Sequence, residues 1–281
     1  MMINCNGALL HLSEPIVMGI LNITPDSFYD GGKYTTVNQA VQRALLMLSE
    51  GATIIDVGGA SSRPGAPVVS VKEEEARVLP VISAIKSVCP HAVISIDTWR
   101  SEVAASAIAA GAGIINDISA GMMDNEMFPV MAELNVPVVI MHMKGTPATM
   151  QVSPEYDDII TDVLDFLLSR VSRLQSMGVS DIIIDLGFGF GKTVRQNYEL
   201  LQRMGEISAV IQRPLLAGLS RKSMIYKVLD KDPSAVINGT SVLNMVALQQ
   251  GAKILRVHDV KEAAEVIQLW KVLRSGDDCP V

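Results

Sequence analysis

The residues of this chain that can do chemistry fall in short polar clusters, each just behind a run of apolar residues. Asn22 follows Ile16–Leu21, Asp56 lies near the end of Thr53–Val57, and Asp97 closes Val93–Ile96. Asn116 and Asp117 follow Ile114–Ile115, His142 follows Val138–Met141, and Asp185 follows Ile182–Ile184. Ser220-Arg221-Lys222 lies beyond Leu215–Ala217, and the last run, Ile254–Val257, carries Arg256 with His258 just after it. Arg256 and His258 are two apart, which places them on one face of a strand. The types sort into two groups. Asp97, Asn116 and Asp185 accept hydrogen bonds, or both accept and donate, and suit a flat heterocycle with N–H donors and ring nitrogens. Arg63, Lys222, Arg256 and His258 suit an anion such as phosphate. An inner polar pocket beside a cationic rim points to a phosphorylated heterocyclic substrate.

Other chemistries fail on spacing. Gly187-Phe-Gly189-Phe-Gly191-Lys192-Thr193 is not a P-loop, which needs glycine where Leu186 stands. It is not a dinucleotide fingerprint either, because the third glycine of that pattern is replaced by Lys192. Alternating glycines behind a strand still mark a loop whose backbone approaches a ligand closely. His11, His91, His142 and His258 have no zinc-ligand spacing. Mg²⁺ needs only one or two protein oxygens beside substrate phosphates, and Asn22 or Asp56 would serve. No Gly-x-Ser-x-Gly elbow is present, and Cys89 falls at a helix end, so a covalent nucleophile is not indicated.

These clusters need elements to hold them. Eight short apolar runs, continuous rather than alternating, indicate strands covered on both faces, as in parallel sheets. Helical patterns lie between them. One runs through Tyr156, Ile160, Val163, Leu167, Val171 and Leu174 and stops at Gly178. Ser70 with Glu73 reads as a capping box, and Met122, Met123, Met127 and Met131 as helix packing. Eight strand–helix units indicate a single-domain (β/α)8 TIM barrel over 16–275; an open doubly wound sheet is the alternative. Residues 1–15 form an N-terminal extension, whose apolar alternation suits a hairpin closing the barrel bottom.

Composition narrows the class further. The 281 residues are 49% hydrophobic and 19% charged, enough for a large core. A net charge of −7 without a basic run argues against bulk nucleic-acid binding. No apolar run approaches a membrane span, the N-terminus lacks a signal-like pattern, and Cys5, Cys89 and Cys279 form no motif. A cytoplasmic enzyme is the expectation.

The segment Met18-Gly-Ile-Leu-Asn-Ile-Thr-Pro-Asp-Ser-Phe28 resembles the first signature of the dihydropteroate synthases. Further signatures of that family follow in order: Asp56-Val-Gly-Gly-Ala-Ser-Ser-Arg-Pro-Gly65, Ser95-Ile-Asp-Thr98, Asn116-Asp117, Met141-His-Met143, Asp185 to Lys192, Ser220-Arg-Lys-Ser223 and Arg256-Val-His-Asp259. The resemblance spans nearly the whole chain. It implies condensation of a dihydropterin pyrophosphate with p-aminobenzoate, with Mg²⁺ as cofactor. The implied pterin pocket is Asp97, Asn116, Asp185 and Lys222, with Met141, Phe190 and Gly218 packed nearby. Asn22 would meet the Mg²⁺; Ser62, Arg63, Arg256 and His258 would hold the pyrophosphate. Phe28, Ser62, Pro64, Phe190, Lys222 and Ser223 would hold p-aminobenzoate. Asp97, Asp185, Lys222 and Arg256 are the implied catalytic set.

Two positions depart from the family. Ala60 replaces its usual glutamate in the second loop, and Leu186 replaces its usual proline behind Asp185. The rival functions are a pterin-binding paralogue without synthase activity and a corrinoid-linked methyltetrahydrofolate methyltransferase. The second has no need of the Ser62-Arg63-Pro64 and Arg256-Val-His258 clusters. The resemblance also implies a homodimer, with Val242–Leu248 as a candidate contact, and sulfonamides as mimics of p-aminobenzoate.

Overall fold

The computed structural model describes residues 1–23, 33–61, 69–146, 149–150 and 154–275. Strands β1 (Met2–Cys5) and β2 (Ala8–His11) pair as an antiparallel hairpin. The rest is a closed parallel barrel: β3 (Ile16–Asn22), β4 (Ala52–Gly58), β5 (Val93–Asp97), β6 (Ile114–Asp117), β7 (Val138–Met141), β8 (Ile182–Asp185), β9 (Leu215–Ala217) and β10 (Ala252–Val257). β10 pairs with both β3 and β9 and so completes the ring. All eight apolar runs are strands, and the open-sheet alternative is excluded by this closure.

Strand alternation divides the core in two. Met18, Ile54, Ile114, Val139, Ile183, Leu216 and Ile254 point inward at the lower end and pack on Ile3, Cys5, Leu10 and Leu12 of the hairpin segment. Their neighbours Ile55, Ile115, Val138, Ile182, Leu215 and Leu255 point outward under the helices. The hairpin is fastened at the amino ends of the strands. Asn4 N donates to Asp181 Oδ2 at 3.1 Å, Asn6 Nδ2 to Ala112 O at 3.2 Å, and Lys253 Nζ to Ser13 O at 3.2 Å. The expected bottom closure is therefore present.

The outer ring contains α1 (Lys33–Ser49), α2 (Val71–Val88), α3 (Ser101–Ala109), α4 (Met127–Leu134), α5 (Ile159–Ser176), α6 (Val194–Gln202), α7 (Met204–Ile211), α8 (Ser223–Leu229), α9 (Ile237–Gln249) and α10 (Val260–Ser275). Several local expectations need correction. Ser70 caps α2, accepting from Glu73 N at 3.2 Å, but Glu73 turns to Arg77 instead of back to the cap. A full capping box forms at Thr193 and Gln196 instead. Tyr156 precedes α5 instead of joining it. Met127 and Met131 are core, whereas Met122 and Met123 lie in the preceding turn, each 38% exposed.

Candidate active site

The same alternation that fills the bottom builds the top. Two residues above the inward layer come Asp56 over Ile54, Asn116 over Ile114, Met141 over Val139 and Asp185 over Ile183. Gly218 stands over Leu216, Arg256 over Ile254, and Asp97 four residues above Val93. An apolar floor and a polar layer thus follow from a period of two on strands that share a register. Asn22, Gly58, Asp97 and Asn116 are successive partners across β3 to β6. These groups meet at the carboxyl end of the barrel, where enzymes of this architecture place their chemistry.

Arg256 organises the layer. Its Nε donates to Asp56 Oδ2 at 2.6 Å and its Nη2 to Asp97 Oδ2 at 2.5 Å. Asn116 Nδ2 donates to the same Asp56 oxygen at 3.1 Å. Asp56 is fully buried, so it is a fixed counter-charge under the site. Asp56 Oδ1 and Ser95 Oγ, both buried, have no hydrogen-bond partner among the described residues. Two carboxylates share one guanidinium. Burial pushes the Asp97 pKa up to about 7, against the pull of Arg256 and with the help of Asp56. Burial lowers the Arg256 pKa, but Asp56 and Asp97 outweigh it and hold the guanidinium charged.

Across the mouth, Asp185 Oδ1 accepts from Gly187 N at 2.7 Å. A Cβ at Gly218 would lie 3.6 Å from Asp185 Oδ2 and 3.8 Å from Lys222 Nζ, so the missing side chain leaves a gap between carboxylate and ammonium. Lys222 Nζ donates to Phe188 O and lies 4.6 Å from the Phe190 ring centre. Burial draws the Lys222 pKa down to about 8, with Asp185 resisting. Phe190 also packs on the rim cluster of Ile118, Met141, Met143 and Met150. Ser223 opens α8, half-buried beside Lys222.

His258 and Ser220 meet at the rim, with Ser220 Oγ 3.0 Å from His258 Nδ1. Arg221 and Asp259 form a forked pair at 3.0 and 2.5 Å. This pair fastens the β9 loop to the β10 loop. Two strand-end residues do not face the mouth. Asp117 lies next to inward Asn116 and so faces out, capping Ser119 N at 2.8 Å and Gly121 N at 2.6 Å. His142, next to Met141, faces out to an edge-on contact with Phe166 of α5 at 5.1 Å. Beside it, a cavity of about 430 Å³ opens between the β7 exit and α5, lined by Lys144, Tyr156 and Asp162 among others. It contains none of the mouth's carboxylates.

Sequence reasoning missed Lys192, buried under the glycine loop with its Nζ 2.9 Å from His142 Nδ1. It also missed the arginines that tie down the second loop. Arg77 donates to Gly59 O at 2.8 Å, and Arg100 to Val69 O at 2.5 Å and to buried Glu74. Ala60 lies just inside those ties. Phe28, Ser62, Arg63 and Pro64 lie outside the described residues.

Among the described residues no group of three or more His, Cys, Asp or Glu side chains is placed to hold a metal ion. A Mg²⁺ carried mainly by substrate phosphates makes a smaller demand. Asn22 meets it: its Oδ1 lies 3.5 Å from the Cβ position of Gly58, on whose other side stands Asp97. Asp56 does not, since one oxygen is taken by Arg256 and Asn116 and the whole side chain is enclosed.

The model of the pterin-binding enzyme family matches residues 18–258. The dihydropteroate synthase of Escherichia coli K12 is 45% identical over 274 residues, covering 97% of this chain and 96% of that protein. The solved Yersinia pestis dihydropteroate synthase, a sulfonamide complex, superposes with a TM-score of 0.91 at 42% identity, over 98% of this chain and 100% of that one. The Xanthomonas albilineans synthase in complex with 7,8-dihydropteroate superposes at 0.88 and 38% identity, over 98% and 99%. With matches of this extent laid over a closed barrel, its polar layer and its cationic rim, the chain belongs to the dihydropteroate synthases, pterin-binding transferases of folate biosynthesis.

Proposed function

We propose that the barrel mouth condenses 6-hydroxymethyl-7,8-dihydropterin pyrophosphate with p-aminobenzoate, and that the described side chains divide that work as follows. Asp97, Asn116 and Asp185 read the N–H and ring-nitrogen edge of the pterin, with Met141 beside it and the gap at Gly218 admitting the flat ring. Arg256 and His258, with Ser62 and Arg63, receive the pyrophosphate; Lys222, Phe190 and Ser223, with Phe28 and Pro64, receive p-aminobenzoate. The observation that carries this reading is the meeting of Asp97, Asn116 and Arg256 in one hydrogen-bonded layer around buried Asp56.

The reaction breaks the bond from the pterin methylene to the pyrophosphate oxygen and forms one to the arylamine nitrogen. The amine is neutral at pH 7, so its lone pair needs no strong base, and its surplus proton is lost to solvent. The demand lies on the leaving group. Arg256 and His258 meet that developing charge at the rim, while the Asp97 and Asp185 carboxylates face positive charge that builds on the pterin. Asn22 would hold a Mg²⁺ there, which when bound would supply further neutralisation of the leaving group.

We also propose a cytoplasmic homodimer. Supporting it are the free thiols of Cys5 and Cys89 and, on α9, Val242 at 61% exposure. No helix among the described residues is long and apolar enough to cross a membrane. Pyrophosphate release by the purified protein, with Mg²⁺, pterin pyrophosphate and p-aminobenzoate each omitted in turn, tests the reaction. Release coupled to dihydropteroate is expected. Pterin binding without arylamine-dependent turnover would mark a binding paralogue and overturn it.

A further inference from the structure

Lys192 is a buried lysine to which the condensation gives no task, only 3% exposed, and burial draws its pKa well below the usual lysine range. Its Nζ lies 2.8 Å from Gly187 O, 3.1 Å from Phe190 O, 3.3 Å from His142 O and 2.9 Å from His142 Nδ1. The three carbonyls can only accept from the amine, and the His142 ring nitrogen shares a hydrogen bond with it. Burial keeps His142 neutral. Two partners of Lys192 therefore belong to the loop behind β8 and two to the residue behind β7.

The loop is arranged to offer them. Gly187, Gly189 and Gly191 have φ values of 68°, 82° and 64°. At Gly187 a Cβ would fall 1.9 Å from His142 O, so the loop backbone rests directly on the β7 exit. Gly191 O accepts from the Tyr156 hydroxyl at 2.7 Å, and Gly189 N donates to Asn197 Oδ1 at 2.6 Å. Phe188 O accepts from Lys222. Lysines thus hold this loop on two sides. Lys222 stands at the mouth beside Asp185 and can exchange its carbonyl for substrate; Lys192, beneath the loop, is committed to protein acceptors alone.

We infer that Lys192 is a positioning residue for the arylamine: by tying the carbonyls of Gly187 and Phe190 to residue 142, it sets the height and tilt of the Phe190 ring that the acceptor packs against. This rests on the reading of Phe190 as part of the p-aminobenzoate site. It assigns Lys192 a larger effect on the arylamine than on the pterin, because Asp97, Asn116 and Arg256 hang from other strands and Asp185, though joined to the loop through Gly187 N, is carried by β8 itself.

The test is Lys192→Met in the full chain, a side chain of similar length with no charge and no donor. The expected result is a p-aminobenzoate KM raised about ten- to a hundredfold, the range for displacing a reacting group by about 1 Å, with the pterin pyrophosphate KM within about twofold of the parent. His142→Phe, which keeps a ring against Phe166 and removes the Nδ1 partner, is expected to shift the same constant about threefold, a fraction of the Lys192 effect. It serves if Lys192→Met fails to fold. Equal losses for both substrates, or a smaller active fraction with unchanged KM values, would reduce Lys192 to a structural role and overturn the inference. Phe190→Ala is measured in parallel. If it leaves the arylamine KM unchanged, the acceptor-site reading itself fails. If it raises that KM while Lys192→Met and His142→Phe do not, only the role of Lys192 fails.

Discussion

Arg256 holds two carboxylates on one guanidinium, and this sets both its structural weight and the pH response of the site. Arg256→Met leaves fully buried Asp56 with only Asn116 for company. Stranding a buried charge costs about 3–5 kcal/mol, so denaturant unfolding should show a loss of that order. Asp56→Asn in the same background should recover part of it without restoring turnover. In the proposed mechanism the ionised form of Asp97 accepts the pterin N–H; its pKa is pushed up to about 7, so kcat/KM should rise with pH through that value. Lys222 is useful as an ammonium and is drawn down to about 8, so kcat/KM should fall above it. A narrow bell between these limbs is the expected profile, and Asp97→Asn should remove the acid limb. At this scale the sequence was readable wherever a polar residue topped an inward strand position, as with Asp97, Asn116, Asp185 and Arg256. His142 and Asp117 had the opposite parity, which their neighbours Met141 and Asn116 already implied. Lys192 was not readable. A lysine in a glycine-rich loop looks solvated until the acceptor at His142, 50 positions away, is seen beside it.

Among elements, the N-terminal hairpin shows how a weak unit becomes firm. Two four-residue strands cannot stand alone in water. Here Ile3, Cys5, Leu10 and Leu12 complete the floor formed by the inward strand residues. Leu12, 2% exposed, is the natural probe. Leu12→Ala should lower stability by about 2–5 kcal/mol in thermal or denaturant unfolding, with both substrate KM values unchanged. A change in either KM would mean that the floor transmits strain to the polar layer. Most barrel strands were legible because they are β-branched apolar runs with a polar residue at or just past one end; β9, Leu-Leu-Ala, is the exception. Helix boundaries were less so, since they depend on which side chain reaches back. Glu73 satisfies the capping pattern, yet Arg77, one turn on, offers a charged partner at 2.6 Å and takes its carboxylate.

On the scale of the whole molecule, the chain carries a net charge of −7 yet binds an anionic substrate. In the proposed site that attraction is local, from Arg256 and Lys222. At physiological salt charges are screened over about 8 Å, so the remaining surface has little influence at the mouth. The proposed homodimer belongs to this scale. Val242→Glu, at a position 61% exposed, should halve the mass seen by sedimentation and leave the fold intact by circular dichroism. An unchanged mass would remove α9 from the contact. The barrel and its closure were legible as a count of eight strand–helix units; the register of the closing pair was not, because β10 and β3 join residues more than 200 positions apart.

The sealed floor has a consequence for traffic. With Ile3, Cys5, Leu10 and Leu12 stopping the lower end, both substrates and both products share a single doorway. In the proposed division of the mouth, the pterin, whose partners lie in the inner polar layer, has to enter first, and the arylamine held at the rim then stands in its way out. Product must back out pterin end last. A rim-bound mimic of the arylamine that does not react would detain the pterin beneath it, so such an inhibitor holds its victim as well as replacing a substrate.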